Sequence, residues 1–299
     1  MNLKELKIEA ISRENPDFPY LLKEIPNPPS QIYVLGKLPN EEKPRIAIVG
    51  TRKATFEGRL IAKKIAQRLA EIKIVIVSGL AMGIDTAAHE GALAGNGETI
   101  AVLACGLDAI YPRQNENLAR KIIESGGTII SEYPAGTPIL PHQFLERNRI
   151  VSGLSVATIV IEAPIDSGAL VTARLAAEQG REVFVFPGPI NHPNYRGSHK
   201  LIRDGARLVA SIEDILEDLN LEIPNFNLNP PTGGQNSELE KIKDENQSLI
   251  FKTIQKSGRP LNIDKIIELT KLEPRVANQS LAVLIIQGII NETEKGYTI

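Results

Sequence analysis

The stretch from Arg45 to Gly58 reads RIAIVGTRKATFEG. Ile46, Ala47, Ile48 and Val49 form an apolar run that stops at Gly50, the pattern of a buried strand in a parallel sheet. Thr51, Arg52 and Lys53 follow at that strand's carboxyl end. From Thr55 the period turns helical, with Leu60, Ile61, Ile65, Ala66, Leu69 and Ala70 at spacings of three and four. In open α/β sheets ligands bind in this position, outside the carboxyl ends of the strands. Backbone N–H groups, a helix N-terminus and two cations suit a phosphate. Gly50 and Gly58 are too far apart for a dinucleotide fingerprint, and no Gly-Lys-Ser/Thr follows to make a P-loop. Taken alone, the loop also fits an ordinary strand-to-helix turn with solvated Arg and Lys.

Outward from this stretch the alternation repeats. Apolar runs at Ile74–Val77, Thr99–Leu103, Thr128–Ser131, Ala157–Ile161 and Glu182–Phe186 are separated by helical patterns, and Arg207–Val209 adds an edge strand before a last helix near Ser211–Leu219. This pattern predicts an α/β fold: a doubly wound, mostly parallel sheet with helices on both faces. Residues 1–44 are a lead-in segment, with a short strand at Ile32–Gly36, that packs on the main domain of residues 45–221. Residues 222–246, rich in Pro, Asn and Gly, read as a linker. From Gln247 to Ile299 three helical patterns, the last stopped by Gly288, and a closing hairpin around Lys295 predict a small winged helix-turn-helix domain.

Composition narrows the function. The chain has 299 residues, 42% of them hydrophobic, and a net charge of -2, so a nucleic-acid site has to be a local patch. The domain from Arg45 to Leu219 carries as many Lys and Arg as Asp and Glu. Cys105 is the single cysteine, which excludes an internal disulfide and fits a reducing cytosol. Residues 1–25 lack a signal-peptide apolar region, and no apolar run is long enough to span a membrane.

Cations and polar groups collect at the strand ends: Arg52 and Lys53, then Arg113 with Asn115, then Phe144 with Arg147, Asn148 and Arg149, then Ser167 and Gly168, and Lys200. On one rim they would form a stripe suited to a phosphate backbone, with Phe144 and Tyr111 offering stacking for unpaired bases. The alternative for Arg147 and Arg149 is internal pairing with Glu132, Glu146 or Glu162. Asp85 and His89 stand four apart; the structural reading, Asp85 capping a helix and His89 bonded to a neighbouring loop, is preferred to a metal or acid/base pair, because no further His or Cys completes a metal site. Ser167-Gly168 either holds a phosphate or serves as a cap.

Together these motifs resemble the DNA-processing protein A family (DprA, also called Smf) from about Phe18 to Leu219. The resemblance is carried by Ile48–Arg52, Ser78–Asp85 with His89, Ala101–Pro112, Ser131–Pro134, Phe144–Ser155, Glu162-Ala163, Ser167–Ala173, Gln179–Arg181, Pro187-Gly188 and Leu201–Ala206. It implies an extended Rossmann-like fold, binding and protection of single-stranded DNA, loading of a RecA-type recombinase during natural transformation, and a homodimer formed through the Rossmann domain, all in the cytoplasm. The DNA- or phosphate-binding candidates are Gly50, Thr51, Arg52, Lys53, Ser78, Gly79, Arg113, Asn115, Phe144, Arg147, Asn148, Arg149, Ser167, Gly168 and Lys200; no catalytic residue, metal or cofactor is expected. The chain departs from the family pattern in three places. The amino-terminal helical domain of many relatives is missing or reduced to residues 1–17, His199 stands where relatives usually carry Asn, and Leu145 replaces a proline.

The reading is therefore a binding protein. An enzyme of the Rossmann-like nucleotide phosphoribohydrolase type is the alternative, but it needs a Pro-Gly-Gly-x-Gly-Thr loop with a following glutamate, and Glu162–Gly168 has neither the glycines nor that acid. A regulator reading duplex DNA through the winged helix would have Arg275 as the only cation on its recognition helix, about 274–287, which is thin for phosphate-driven binding.

Overall fold

The computed structural model describes residues 7–221, 244–257, 260–286, 289–293 and 296–298. The chain divides into two compact units, Met1–Ile223 and Pro224–Ile299.

In the first unit nine strands share one sheet: β1 (Glu9–Ser12), β2 (Gln31–Gly36), β3 (Arg45–Gly50), β4 (Val75–Ser78), β5 (Thr99–Leu103), β6 (Thr128–Ser131), β7 (Ala157–Ile161), β8 (Glu182–Val185) and β9 (Arg207–Leu208). Their order is β1-β2-β6-β5-β4-β3-β7-β8-β9. From β6 across to β9 every pairing is parallel. The lead-in segment supplies two antiparallel strands at one edge, β1 on β2 and β2 on β6. The central strands are buried on both faces, which is why their sequences are continuous apolar runs rather than alternating ones.

Among the described residues eight α-helices accompany the sheet: α1 (Tyr20–Lys23), α2 (Phe56–Glu71), α3 (Ile84–Ala94), α4 (Glu116–Glu124), α5 (Pro141–Gly153), α6 (Gly168–Glu178), α7 (Arg196–Arg203) and α8 (Ile212–Asp218). One face packs Val49, Val77, Val102 and Val160 against Ile150 and Val151 of α5, Leu154 just after it, and Ala169, Ala173 and Ala176 of α6. The other packs Ile46, Ile48, Ile76 and Ile159 against Ala62, Ile65 and Leu69 of α2 and Ile84, Ala88 and Ala92 of α3. Successive residues of β3 alternate between these two cores, as strand geometry requires.

In the second unit α9 (Glu245–Ser257), α10 (Ile263–Thr270) and α11 (Pro274–Ile286) enclose Ile250, Phe251, Ile254, Ile266, Leu281 and Leu284. Strands β10 (Asn291–Thr293) and β11 (Gly296–Thr298) pair antiparallel, and Leu261 bridges to Tyr297. Most of the expected linker, residues 222–243, together with Gly288 and Lys295, lies outside the described residues. Among the described residues no helix is long and apolar enough to cross a membrane, and no group of three or more His, Cys, Asp or Glu is placed to hold a metal ion.

Candidate functional site

The sheet order places β3 beside β7. The chain leaves β3 for α2 on one face and leaves β7 for α6 on the other, so the two loops diverge and open a crevice between them. A cleft of about 420 Å³ fills this switch point, lined by Thr51–Lys53, Gly79, Phe144, Arg147, Asn148 and Ser167–Ala169 among others. Gly50 is needed at its base, because a Cβ there would collide with the carbonyl of Ile161 and the side chain of Ile84. The Thr51 N–H extends the ladder by donating to the Glu162 carbonyl at 2.8 Å. From the other side Gly83, at φ +86°, brings the loop before α3 onto the carbonyls of Thr51 and Arg52.

The backbone around Arg52 is thus clamped while its side chain stays exposed. The guanidinium lies over the Phe144 ring, 5.1 Å from the centroid, and Phe144 meets Tyr111 edge to face at 5.6 Å. Cation and aromatic pair stand together although they come from the loops after β3 and β5 and from α5. Lys53 is exposed beside them. Opposite, Ser167 caps α6 by accepting from the Ala169 N–H at 3.2 Å, and that helix N-terminus lines the cleft.

Arg147 does not extend this arrangement as a solvent-facing cation. It is 5% exposed and donates Nη1 to the Gly79 carbonyl at 2.6 Å and to the Val102 carbonyl, and Nε to Asn148 Oδ1 at 3.3 Å. Gly79 contributes its missing side chain, since a Cβ there would strike the guanidinium. Arg149 is the internal pair that the sequence allowed: Nη2 reaches both carboxylate oxygens of Glu132 at 2.6 Å. Asn148, buried, donates to the Gly168 carbonyl at 3.3 Å and ties α5 to the start of α6. Ser78 and Asn115 are also buried. Ser78 Oγ donates to the Ile48 carbonyl at 2.7 Å, and Asn115 Nδ2 donates to Leu80 O and Thr86 Oγ1, both at 2.8 Å. They shape the loops rather than face the cleft. Arg113 is exposed in a 3-10 turn outside the cleft lining. Lys200 lines a separate cleft between α6 and α7 with Arg174 and Asp204.

Asp85 is not the cap of α3; Gly83 holds that position. Its carboxylate instead accepts from the Gly79 N–H at 3.1 Å and the Ala81 N–H at 3.4 Å. Burial pushes the Asp85 carboxyl up from the usual range, opposed by the nearby Arg147 charge. Burial likewise depresses Arg147, opposed by Asp85. His89 Nδ1 sits 2.7 Å from Thr99 Oγ1, a strand residue rather than the expected loop, and Thr99 itself donates to the Ile76 carbonyl at 2.7 Å. Burial and then Arg147 lower His89 to about 3.

In the sequence Glu162 stands out only as a motif residue and a possible ion-pair partner. It is buried, at φ +51°. Its carboxylate accepts from the Thr55 N–H at 2.9 Å, from Thr55 Oγ1, from Asn194 Nδ2 at 3.0 Å and from the Tyr195 hydroxyl at 3.2 Å. Asn194 also donates to the Lys53 carbonyl at 3.1 Å. One carboxylate therefore fastens the Arg52 loop and the loop before α7 to the end of β7. Burial pulls its pKa up, but these hydrogen bonds outweigh burial and hold it below the ordinary value.

A family model described as DNA recombination-mediator protein A matches residues 9–220. Among curated proteins, Protein Smf of Escherichia coli (strain K12) is 47% identical over 191 residues, which cover 64% of this chain and 51% of that protein. DNA processing protein DprA of Streptococcus pneumoniae is 43% identical over 201 residues, covering 67% and 71%. The chain spans about half the length of the Escherichia coli and Synechocystis relatives. The X-ray structure of DprA from Streptococcus pneumoniae superposes with a TM-score of 0.67 at 42% identity, covering 71% of this chain and 74% of that one. A structure of DNA processing protein A from Helicobacter pylori, described for its single-stranded DNA binding mode, gives 0.65 at 31% identity, covering 73% and 98%.

Proposed function

The chain belongs to the DNA recombination-mediator protein A family, and on that premise we propose that its Rossmann-like unit binds single-stranded DNA at the β3–β7 cleft. The observation that carries this reading is the Arg52 guanidinium held 5.1 Å over Phe144 at the cleft. A phosphate meets Arg52, Lys53 and the N-terminus of α6, while an unpaired base stacks on the Phe144–Tyr111 pair. Glu162 fastens the Arg52 loop, and Arg147 ties α5 to the loop after β4. The Helicobacter pylori relative described for single-stranded DNA binding supports the ligand class.

The wider role follows from the family: protection of the incoming strand and loading of a RecA-type recombinase during natural transformation, by a cytoplasmic homodimer joined through the Rossmann unit. The carboxyl-terminal unit is read as a winged helix with an accessory or protein-contact role. Binding rather than catalysis fits the cleft, where Asp85 is committed to two backbone N–H groups. The test is a salt-dependent titration with single-stranded DNA, duplex DNA and nucleoside monophosphates. Single-strand preference with a steep salt slope is the expected result. Tight binding and turnover of a monophosphate would favour the phosphoribohydrolase-type enzyme.

A further inference from the structure

The helix that follows the Arg52 loop has an unusual outer face. Between Arg52 and Lys64 the exposed charges are Arg52, Lys53, Arg59, Lys63 and Lys64 against Glu57 alone. Phe56 is 75% exposed and Leu60 55% exposed. At 100° per residue Phe56, Leu60, Lys63 and Lys64 all lie opposite the buried stripe of Ala62, Ile65 and Leu69. Solitary exposed apolar residues need no explanation. Here an aromatic and a leucine one turn apart sit among cations, and among the described residues none of Arg52, Lys53, Lys63 and Lys64 enters an ion pair.

We infer that the solvent face of α2 is a second contact surface for single-stranded nucleic acid, carrying the strand that leaves the cleft. The inference rests on the cleft reading above and extends it. Continuity supports it: Phe56 is four residues from Arg52, and α2 descends from the carboxyl rim with Phe56 uppermost. From Phe56 to Lys64 the helix advances about 12 Å, enough for more than one phosphate. Charge complementarity selects a polyanion, and the exposed Phe56 ring offers stacking that every base accepts. A membrane surface would also take a basic face with apolar residues, but it has no reason to begin at the Arg52–Phe144 pair.

The experiment compares oligothymidylates of about 4 and about 16 nucleotides, the limits of common site sizes, on the parent, on Lys63→Ala/Lys64→Ala and on Arg52→Ala. The double variant is expected to bind the short probe as the parent does. On the long probe it should bind about tenfold more weakly, with a salt slope lower by about 1.4. Phe56→Ala should weaken only long-probe binding and leave the slope unchanged. Circular dichroism checks that these exposed substitutions leave the fold intact. Unchanged affinity and slope on the long probe overturn the inference. So does loss of binding to phosphatidylglycerol vesicles by the double variant with long-probe binding intact, which assigns the face to a membrane. Arg52→Ala on the short probe reports separately on the cleft, so the two readings fail independently.

Discussion

Arg147 Nη1 donates to the Gly79 carbonyl at 2.6 Å across 68 residues of chain, and the space that guanidinium occupies is the space a side chain at position 79 would need. The pair locks α5 to the loop after β4. Arg147→Ala should therefore act on stability: two buried carbonyls lose their donor and Asp85 loses a neighbouring positive charge. The expected cost is about 3 kcal/mol, read from urea unfolding. Gly79→Ala should destabilise by the same route. An Arg147→Ala protein of parental stability would show that the guanidinium is not structural.

Arg52→Ala should weaken single-strand binding and lower the salt slope by about 0.7, the contribution of one phosphate contact. Phe144→Ala should cost about 1–3 kcal/mol of binding with little change of slope. Fluorescence titrations at several salt concentrations separate the two. Parental affinity and slope for Arg52→Ala would remove the cleft from DNA binding.

The buried His89 gives a pH dependence whose sign can be worked out. Its ordinary pKa is 6.5 and its folded value about 3, so below pH 6.5 the unfolded chain takes up a proton that the folded chain refuses. Stability is thus fully present above pH 6.5 and falls as pH drops toward 3, by about 1.4 kcal/mol per unit from this group. Asp85 works in the opposite sense, because burial raises it. Unfolding at pH 7 and pH 5, compared between the parent and His89→Gln, isolates the histidine: the parent should lose more stability on acidification than the variant.

Glu162→Gln should destabilise by about 2 kcal/mol, since an amide replaces a charged acceptor and turns an NH₂ group toward the Thr55, Asn194 and Tyr195 donors. Because the same carboxylate fastens the Arg52 loop, single-strand affinity should also fall at temperatures where the variant is fully folded. Thermal denaturation with a parallel titration distinguishes the two effects. Unchanged affinity would confine Glu162 to stability.

The dimer expected from the family is checked by light scattering at micromolar concentration, where twice the chain mass should be found. A monomeric mass would count against it.

The parallel sheet was legible because β3 to β8 are apolar runs ended by glycine or polar residues, and burial on both faces leaves that mark in sequence. β1 was not, because Glu9–Ser12 is four residues long with only Ile11 buried, and among the described residues it pairs with β2 alone. In the site Arg52 was readable as a strand-end residue and Phe144 as part of the stretch ahead of β7, but the contact between them was not, because it joins segments distant in sequence. Arg147 and Arg149 looked alike as letters, yet one is buried and the other paired. A signal for the first was present: Gln143, Arg147, Ile150, Val151 and Leu154 recur at spacings of three and four, so Arg147 belongs to the inward face of α5. Nothing comparable marks Glu162, whose left-handed backbone and four donors come from loops far apart in the chain.

The pairing of Ile46 with Ala157 in adjacent central strands sets a timetable for synthesis. A nascent chain that has completed Arg45–Lys53 owns one wall of the cleft, and the other wall, Ser167–Ala169, arrives only after more than a hundred further residues. At ribosomal speeds that interval is roughly 10 s. During it β3 has β4 on one side and an open edge on the other, a template for unwanted pairing. The cleft is therefore complete only late, after β7 has paired with β3 and Ser167–Ala169 have followed. A chain halted before Ala157 has the Arg52 loop and the Phe144 ring but lacks the wall that Ser167–Ala169 supply.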